Sequence, residues 1–449
     1  MSSNRRSPGA RRLAFDVLTR VEAEGAYAGR LLDAAAGHHP DPREAGLARE
    51  LTLGVLQRRS ALDHALSAHL RRPLEKVEPP VLIALRLGAY QLLYLDRIPD
   101  HAAVDGSVRL VQAAKRRSAS GFVNGVLRNL VRNREQALPA APELGDVDGL
   151  ARYEGHPSWW TRRMVERHGW EIAASLLAAD NAPATLTLRA AGGVAAVDSL
   201  RDELGEAGIE TEPGRYIEDA LRLTSGGLAG SRALDEGRAW VQDEASQLVA
   251  RLVGPGDGPI LDACAAPGSK TFLLSADPQA QVVAADLHPA RLRRMREGLD
   301  RLGRDNVSLV AADMRRPTFE GDFGRVLVDA PCTGTGTLRR HPEIRWRLQP
   351  EDPARLADLQ RQILDACAAR VAPGGVLVYA VCSLEAEEGP QQVEAFLQRD
   401  PRFRLEDPRE CLPAGAHVLL DEKGCLATSP PDGVDGFYAA RFRRDGSAL

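Results

Sequence analysis

The chain has 449 residues, of which 44% are hydrophobic and 27% charged, and its formal net charge is −4. This is an ordinary globular composition, with material for two to four domains of roughly 100–200 residues each. It excludes several classes. No apolar run approaches the ~20 residues that span a bilayer, and no apolar segment follows the arginines of Met1–Arg12 as a secretory leader requires, so a cytoplasmic protein without a membrane partner is expected.

Six cysteines occur (Cys264, Cys332, Cys367, Cys382, Cys411 and Cys425), none in a Cys-x-x-Cys pair. A zinc ribbon and a disulfide scaffold are both unexpected, and no metal is called for. Charge is unevenly spread. Residues 1–140 hold 22 basic and 14 acidic side chains, a net of +8, and the remainder carries −12. Such an asymmetry suits nucleic-acid contact, or solvated helix faces, and charge alone does not choose between them.

Along residues 10–135 apolar side chains recur at helical spacing: Leu13, Val17, Leu18 and Val21, then Leu47, Leu51, Val55 and Leu56, then Val81, Leu82, Leu85, Leu92 and Leu93. Breakers at 38–42, Pro73, Pro79-Pro80 and Pro99 separate the runs. Prolines at 79 and 80 fit a helix start, where a missing N–H costs nothing. The spacing predicts an all-α bundle of about six or seven helices over residues 1–140. Residues 136–148 read as a linker. A small α/β module is expected over 141–235, with helices at Trp159–Ala179 and Val197–Gly208 and a strand at Thr185–Arg189.

From residue 236 to 449 strands alternate with helices. The strands are expected at Ile260–Ala263, Gln281–Ala285, Ser308–Ala312, Arg325–Asp329 and Val376–Val381, with helices at 268–276, 289–302 and 353–371. This alternation predicts a Rossmann-like α/β domain with a mostly parallel sheet, and a ligand site beyond the carboxyl ends of its strands.

The chemistry-bearing motifs all fall at those ends. Leu261-Asp262-Ala263-Cys264-Ala265-Ala266-Pro267-Gly268-Ser269-Lys270-Thr271 follows the first strand. Its small residues allow close backbone approach to a ligand, or make a tight strand-to-helix turn. It is not the dinucleotide fingerprint, because Gly-x-Gly-x-x-Gly is absent. Lys270 stands out, since the chain has only four lysines. Asp286 and Asp313 end the next two strands, where acids accept from ribose hydroxyls or act as helix caps. Asp329-Ala330-Pro331-Cys332-Thr333-Gly334 follows the fourth strand, and Tyr379-Ala380-Val381-Cys382-Ser383 the fifth. A lone cysteine is usually a small buried hydrophobe, the role expected of Cys264, Cys367, Cys411 and Cys425. Two cysteines at matching strand ends fit that role poorly.

These segments resemble the RNA cytosine-C5 methyltransferase family, over residues 240–390 and in the family's order, with Val241–Gln247 as its lead-in and Arg340–Trp346 as a block between the cysteines. The helical region is similar to a NusB-like domain, through Phe122–Arg128. A NusB-like domain, a middle module and a catalytic domain in this order resemble the branch of the family that methylates 16S ribosomal RNA.

The resemblance implies that Cys264, Ala265, Ala266, Pro267, Gly268, Ser269 and Lys270 line the S-adenosyl-L-methionine site. It implies that Asp286 holds the ribose, that Asp313 sits by the adenine, and that Asp329 lies between cofactor and base. Cys382 would be the nucleophile, and Cys332 would assist product release. Ser269, Thr333, Val381 and Gly389 stand where the family more often has glycine, serine, threonine and asparagine. The chemistry suits these types. Thiolate addition to carbon-6 makes carbon-5 of cytosine nucleophilic, and an acid at the ring stabilises developing charge.

A monomer acting on ribosomal RNA before subunit assembly is complete is expected. Lys115-Arg116-Arg117 and Arg345-Trp346-Arg347 are its candidate RNA contacts, with Trp346 either stacked on an unpaired base or packed in a core. Alternatives are the same chemistry on another RNA, a non-catalytic assembly or antitermination factor, and a DNA cytosine methyltransferase. The last is disfavoured because those enzymes carry the nucleophile in the Pro-Cys motif.

Overall fold

The computed structural model describes residues 9–36, 41–319 and 321–446. The first arginines of the chain and most of the breaker at 38–42 lie outside the described residues. Two compact units emerge: Met1–Pro183 with Leu338–Pro350, and Ala184–Thr337 with Glu351–Leu449.

The first unit is helical. Seven helices, Ala10–Glu24, Ala28–Ala36, Pro42–Gln57, Arg59–Ser67, Pro79–Tyr94, Asp100–Ala113 and Ser120–Arg132, surround one core. Helices Val147–Glu154, Ser158–His168 and Trp170–Ala179 follow, so the expected single helix at 159–179 is broken at Gly169. Pro79 and Pro80 occupy the first two positions of their helix, and every residue from Val81 to Leu92 is buried. A helix apolar on all sides belongs at a centre, and each fully buried Val, Leu or Ile there contributes about 1.5–3 kcal/mol. Gly54 permits the packing, because a Cβ there would lie 2.0 Å from the Tyr90 ring. Arg86 is buried in the same helix and is neutralised by Asp63 at 2.7 Å and Glu22 at 2.8 Å.

The segment Leu338–Pro350 joins this unit through its own side chains. Arg345 is buried and donates to the carbonyls of Gln57 (3.2 Å), Gly155 (3.2 Å) and Asp180 (2.8 Å) and to Asn181 Oδ1 (2.9 Å). Trp346 Nε1 donates to the Leu56 carbonyl at 2.7 Å, and the Arg59 guanidinium lies 5.2 Å from its ring centroid. Two of the six residues expected as RNA contacts, Arg345 and Trp346, are therefore packed inward, Trp346 in the alternative role expected of it. A planar guanidinium satisfies several converging carbonyls at once, which is what the bundle offers here.

The second unit holds two sheets. Strands β1 (Thr187–Ala190), β2 (Glu210–Pro213), β3 (Ala220–Ser225) and β4 (Ala239–Val241) form an antiparallel sheet in the order β2-β3-β1-β4. Only β1 and the helix Val197–Glu206 were expected; β2 is short and mostly exposed and carries no apolar alternation.

The larger sheet comprises β5 (Ile260–Ala263), β6 (Val282–Asp286), β7 (Val307–Ala311), β8 (Phe323–Asp329), β9 (Val371–Val381), β10 (Phe403–Leu405), β11 (Leu426–Thr428) and β12 (Phe437–Arg444). Its order is β10-β12-β9-β8-β5-β6-β7, with β11 paired to β12. Strands β5 to β9 are mutually parallel as expected, whereas β12 runs antiparallel to β9. Helices cover the sheet, and apolar clusters fill both faces. Chain order runs outward from β5 through β6 to β7, then returns to β8 on the other side. The switch point is thus the crevice between β5 and β8, where open α/β sheets bind ligands.

Replacing Arg345 by alanine strands four acceptors and should destabilise the helical unit by about 3 kcal/mol or more. Lysine should recover only part of that, since it lacks the fork. Urea unfolding followed by circular dichroism checks both; unchanged midpoints would refute the assignment of Arg345 as an internal bolt.

Candidate active site

The chain leaves β5 in a sharp turn. Cys264 has φ 63° and Gly268 φ 115°. A Cβ at Gly268 would meet Met295 at 2.7 Å and Phe272 at 3.0 Å, so the position requires glycine. The loop is held against the end of β6: Ala265 N–H donates to the Ala285 carbonyl at 2.8 Å and Ala266 N–H to Asp286 Oδ2 at 3.3 Å. Asp286 is buried; its Oδ1 accepts the His288 N–H at 2.9 Å, and its Oδ2 lies 3.2 Å from Arg291 Nη1. Arg291 also donates to the Ala266 carbonyl. The helix after Ser269 is short, Ser269–Leu274 against the expected 268–276.

Asp313 stands apart from these bonds. Both its oxygens face the Arg315 side chain, at 2.6–3.0 Å, and the Arg315 hydrogen bond holds the Asp313 carboxyl below its ordinary range.

Asp262 lies beneath the loop and is fully buried. Its Oδ2 accepts the Thr271 hydroxyl, and its Oδ1 has no partner among the described residues. Burial, opposed by that hydroxyl, pushes its pKa up to about 7. Sequence reasoning did not single out this acid, although it sits in the quoted motif, because an inward-facing Asp in a strand leaves no local pattern.

Lys270 turns toward β8. Its Nζ is 2.8 Å from Asp329 Oδ2 and 4.9 Å from the centroid of Phe437. Burial opposes the charge on Lys270, but the Asp329 carboxylate more than offsets it and raises the Lys270 pKa, with the Cys382 sulfur adding in the same direction. The lysine of the expected cofactor loop is thus also the ion-pair partner of the expected catalytic acid.

The two cysteines arrive on neighbouring parallel strands. Asp329 is in register with Ala380, and Cys332 and Cys382 follow within three residues. Their sulfurs are 3.3 Å apart. The hydrogen bond with Cys382, then burial, pushes the Cys332 thiol well above its usual pKa. The loops are stitched together by main chain too: Gly336 N–H donates to the Cys382 carbonyl at 3.1 Å, and Gly436 N–H to the Gly336 carbonyl at 2.7 Å.

Behind them sits a second group the sequence did not flag. Glu388, with Gln360 and Tyr379, forms a buried polar cluster against Thr333 and Ser383. Of the remaining cysteines, Cys367 and Cys425 are buried as expected, whereas Cys264 and Cys411 are half-buried. Burial pushes Cys367 up to about 12, Cys425 up to about 11 and Cys264 well above its usual range. Val381 is fully buried, so a threonine hydroxyl there would need a partner; at Gly389 a Cβ would lie 3.1 Å from the Tyr438 ring.

Residues 252–443 match the family model described as 16S rRNA methyltransferase RsmB/F, residues 8–132 match the NusB family, and residues 156–228 match the RsmF/B-like ferredoxin-like domain. The chain is 35% identical over 445 residues to the probable ribosomal RNA small subunit methyltransferase B of Bacillus subtilis, covering 97% of this chain and 99% of that protein. It is 38% identical over 414 residues to the ribosomal RNA small subunit methyltransferase B of Vibrio cholerae, covering 90% and 91%. Among solved structures, PH0851 superposes with a TM-score of 0.83 at 23% identity, over 99% of this chain and 100% of that one. NSun6 from Pyrococcus horikoshii superposes with a TM-score of 0.57 at 20% identity, over 64% and 97%. At such identities the two structures bear on fold alone.

Asp262 supplies a test of the buried geometry. Its carboxyl is protonated in the folded chain up to about pH 7, while the unfolded one ionises near 4. Folding must therefore take up a proton between these values, and stability falls by about 1.4 kcal/mol per pH unit there, then levels off. Asp262→Asn removes this dependence. Its melting temperature should gain on the parent's as pH rises from 5 to 7 and hold that gain above 7; thermal melts at several pH values check this, and a constant difference would refute it.

Proposed function

The chain belongs to the RsmB/F family of 16S rRNA methyltransferases, and on that premise we propose that it methylates carbon-5 of a cytosine in 16S ribosomal RNA, with S-adenosyl-L-methionine as methyl donor and Cys382 as covalent nucleophile. The observation that carries this reading is the pair of sulfurs, 3.3 Å apart at the ends of adjacent strands, with the Lys270–Asp329 ion pair alongside.

The residues around the first loop suit such a cofactor. Its amino-acid end carries an ammonium beside a carboxylate, and Asp262 Oδ1, buried without a partner among the described residues, is a polar atom left to be satisfied. Small residues Cys264, Ala265, Ala266, Pro267, Gly268 and Ser269 would line it, with Lys270 at the base side and Asp286 toward the ribose. Asp286 would share its carboxylate with Arg291, and a contact of adenine with Asp313 would require Arg315 to release it. When bound, the cofactor supplies an electrophilic methyl group.

The chain's own residues do the rest. The Cys382 thiolate adds to carbon-6 of the base; the S–C bond forms as the 5,6 double bond shifts its electrons toward the ring carbonyl, and carbon-5 becomes nucleophilic. Lys270 is close enough for its charge to interact with the Cys382 sulfur as that sulfur attacks. Asp329 meets the ring nitrogen or the exocyclic amine, and the Lys270 ammonium paired with it offsets the negative charge that develops on the ring as the thiolate adds. After methylation water takes the carbon-5 proton, the C–H electrons restore the 5,6 double bond, and the S–C pair leaves with sulfur, freeing Cys382 as thiolate. Cys332, with its sulfur 3.3 Å from that of Cys382, stands where it can assist that release. The basic helical unit, with Lys115, Arg116 and Arg117 exposed, would contact phosphates and give salt-dependent affinity.

The two cysteines therefore make opposite predictions. Cys382→Ala should abolish methylation and form no adduct. Cys332→Ala should accumulate a protein–RNA adduct that survives a denaturing gel. Trapping by Cys382→Ala with normal turnover by Cys332→Ala would reverse the assignment. Bisulfite mapping of 16S rRNA with and without the gene checks the product, and calorimetry with S-adenosylmethionine separates an enzyme from a non-catalytic assembly factor.

A further inference from the structure

Glu388 is fully buried in the turn that follows Cys382. Burying a carboxylate is expensive unless its lone pairs are filled, and here all four donors come from groups that frame the cysteines. Oε1 accepts the Thr333 backbone N–H at 2.9 Å and the Gln360 amide at 2.8 Å. Oε2 accepts the hydroxyls of Thr333 and Ser383. Thr333 is the residue after Cys332, and Ser383 is the residue after Cys382.

Gln360 extends the brace. It also donates to the Pro331 carbonyl at 3.0 Å, just before Cys332. Tyr379, on β9, aims its hydroxyl at the Glu388 carbonyl (2.6 Å) and at Gln360 Oε1 (3.0 Å). Backbone pairing of β8 and β9 stops at the strand ends. Beyond them, the two cysteine loops are joined by a main-chain bond, from Gly336 N–H to the Cys382 carbonyl, and by side chains, of which Glu388 binds both.

We propose that Glu388 is a positioning residue, a clamp whose carboxylate holds the Cys332 and Cys382 loops at working separation. This rests on the reading of those cysteines as releasing group and nucleophile. The clamp acts by geometry and not by charge. Glutamine keeps the shape: its oxygen still accepts from Thr333 N–H and Gln360, and its amide can donate to hydroxyls that rotate to accept.

The test uses the full chain and two readouts. The first needs no RNA. Diamide oxidises the Cys332–Cys382 thiols, both protons and two electrons passing to the reagent, and the rate measured by peptide mass reports how closely the sulfurs are held. The second is methylation kinetics on a 16S rRNA fragment. Glu388→Ala should slow disulfide formation about tenfold and lower kcat about 100-fold with KM little changed, the scale expected for a misplacement near 1 Å.

Glu388→Gln should stay within a few-fold of the parent in both. Ser383→Ala, which removes one donor, should slow the disulfide by an intermediate factor and keeps the test decisive where Glu388→Ala fails to fold. Equal losses for glutamine and alanine would overturn the clamp in favour of charge. An unchanged disulfide rate in Glu388→Ala or Ser383→Ala would overturn it outright. A parent enzyme that leaves cytosine unmodified, with the disulfide rates still ordered as expected, would sink the functional reading and leave the clamp standing.

Discussion

The parallel pairing of β8 with β9 is the constraint on which the catalytic rim depends. Their register sets Asp329 opposite Ala380. Because strands advance about 3.3 Å per residue, a slip of one position would carry one cysteine past the other and turn alternate side chains to the wrong face. The rest of the site builds on that alignment. β5, paired to the other side of β8, brings its loop and Lys270 to Asp329. β12, inserted antiparallel against β9, brings Phe437 beneath the Lys270 ammonium and Gly436 against the Cys332 loop. The last strand in sequence thus closes a site begun some 170 residues earlier.

Much of this was legible from local pattern, and the exceptions have physical causes. Buried parallel strands read as short apolar runs, so β5 to β9 were recognisable within a few residues of their ends. β2, β3, β4, β10, β11 and β12 were not: β2, β4, β10 and β11 because three- and four-residue strands are specified by their partners and not by their own alternation, and β3 and β12 because arginines interrupt their apolar residues. The cysteines stood out because reactive residue types at strand ends are unusual. Asp262 and Glu388 did not, since a buried carboxylate is defined by donors distant in sequence. For Glu388 those lie at Thr333 and Gln360. Asp286 and Asp313 were found as acids at strand ends. Their arginine partners at 291 and 315 emerge only when the helices and turns are built.

The same holds for charge. The chain has 54 arginines and four lysines, and counting them as surface charge misreads several. Arg345 binds four oxygens inside the helical unit. Arg441 donates to the carbonyls of Leu252 and Val253, and Arg325 to those of Gly254 and Gly258. These guanidiniums close loop ends that lack regular hydrogen bonds.

The membership of Leu338–Pro350 in the helical unit has a consequence for how the protein is made. That unit is not contiguous in sequence: its first 183 residues are synthesised early, but Arg345 and Trp346 emerge only after β5 to β8 have been translated. Until then the carbonyls of Leu56, Gln57, Gly155 and Asp180 lack the donors they hold in the finished structure. The helical unit can collapse on the ribosome but cannot be completed there before much of the second sheet exists. No single cut of the gene yields either unit whole, so the two halves of this chain are bound to mature together.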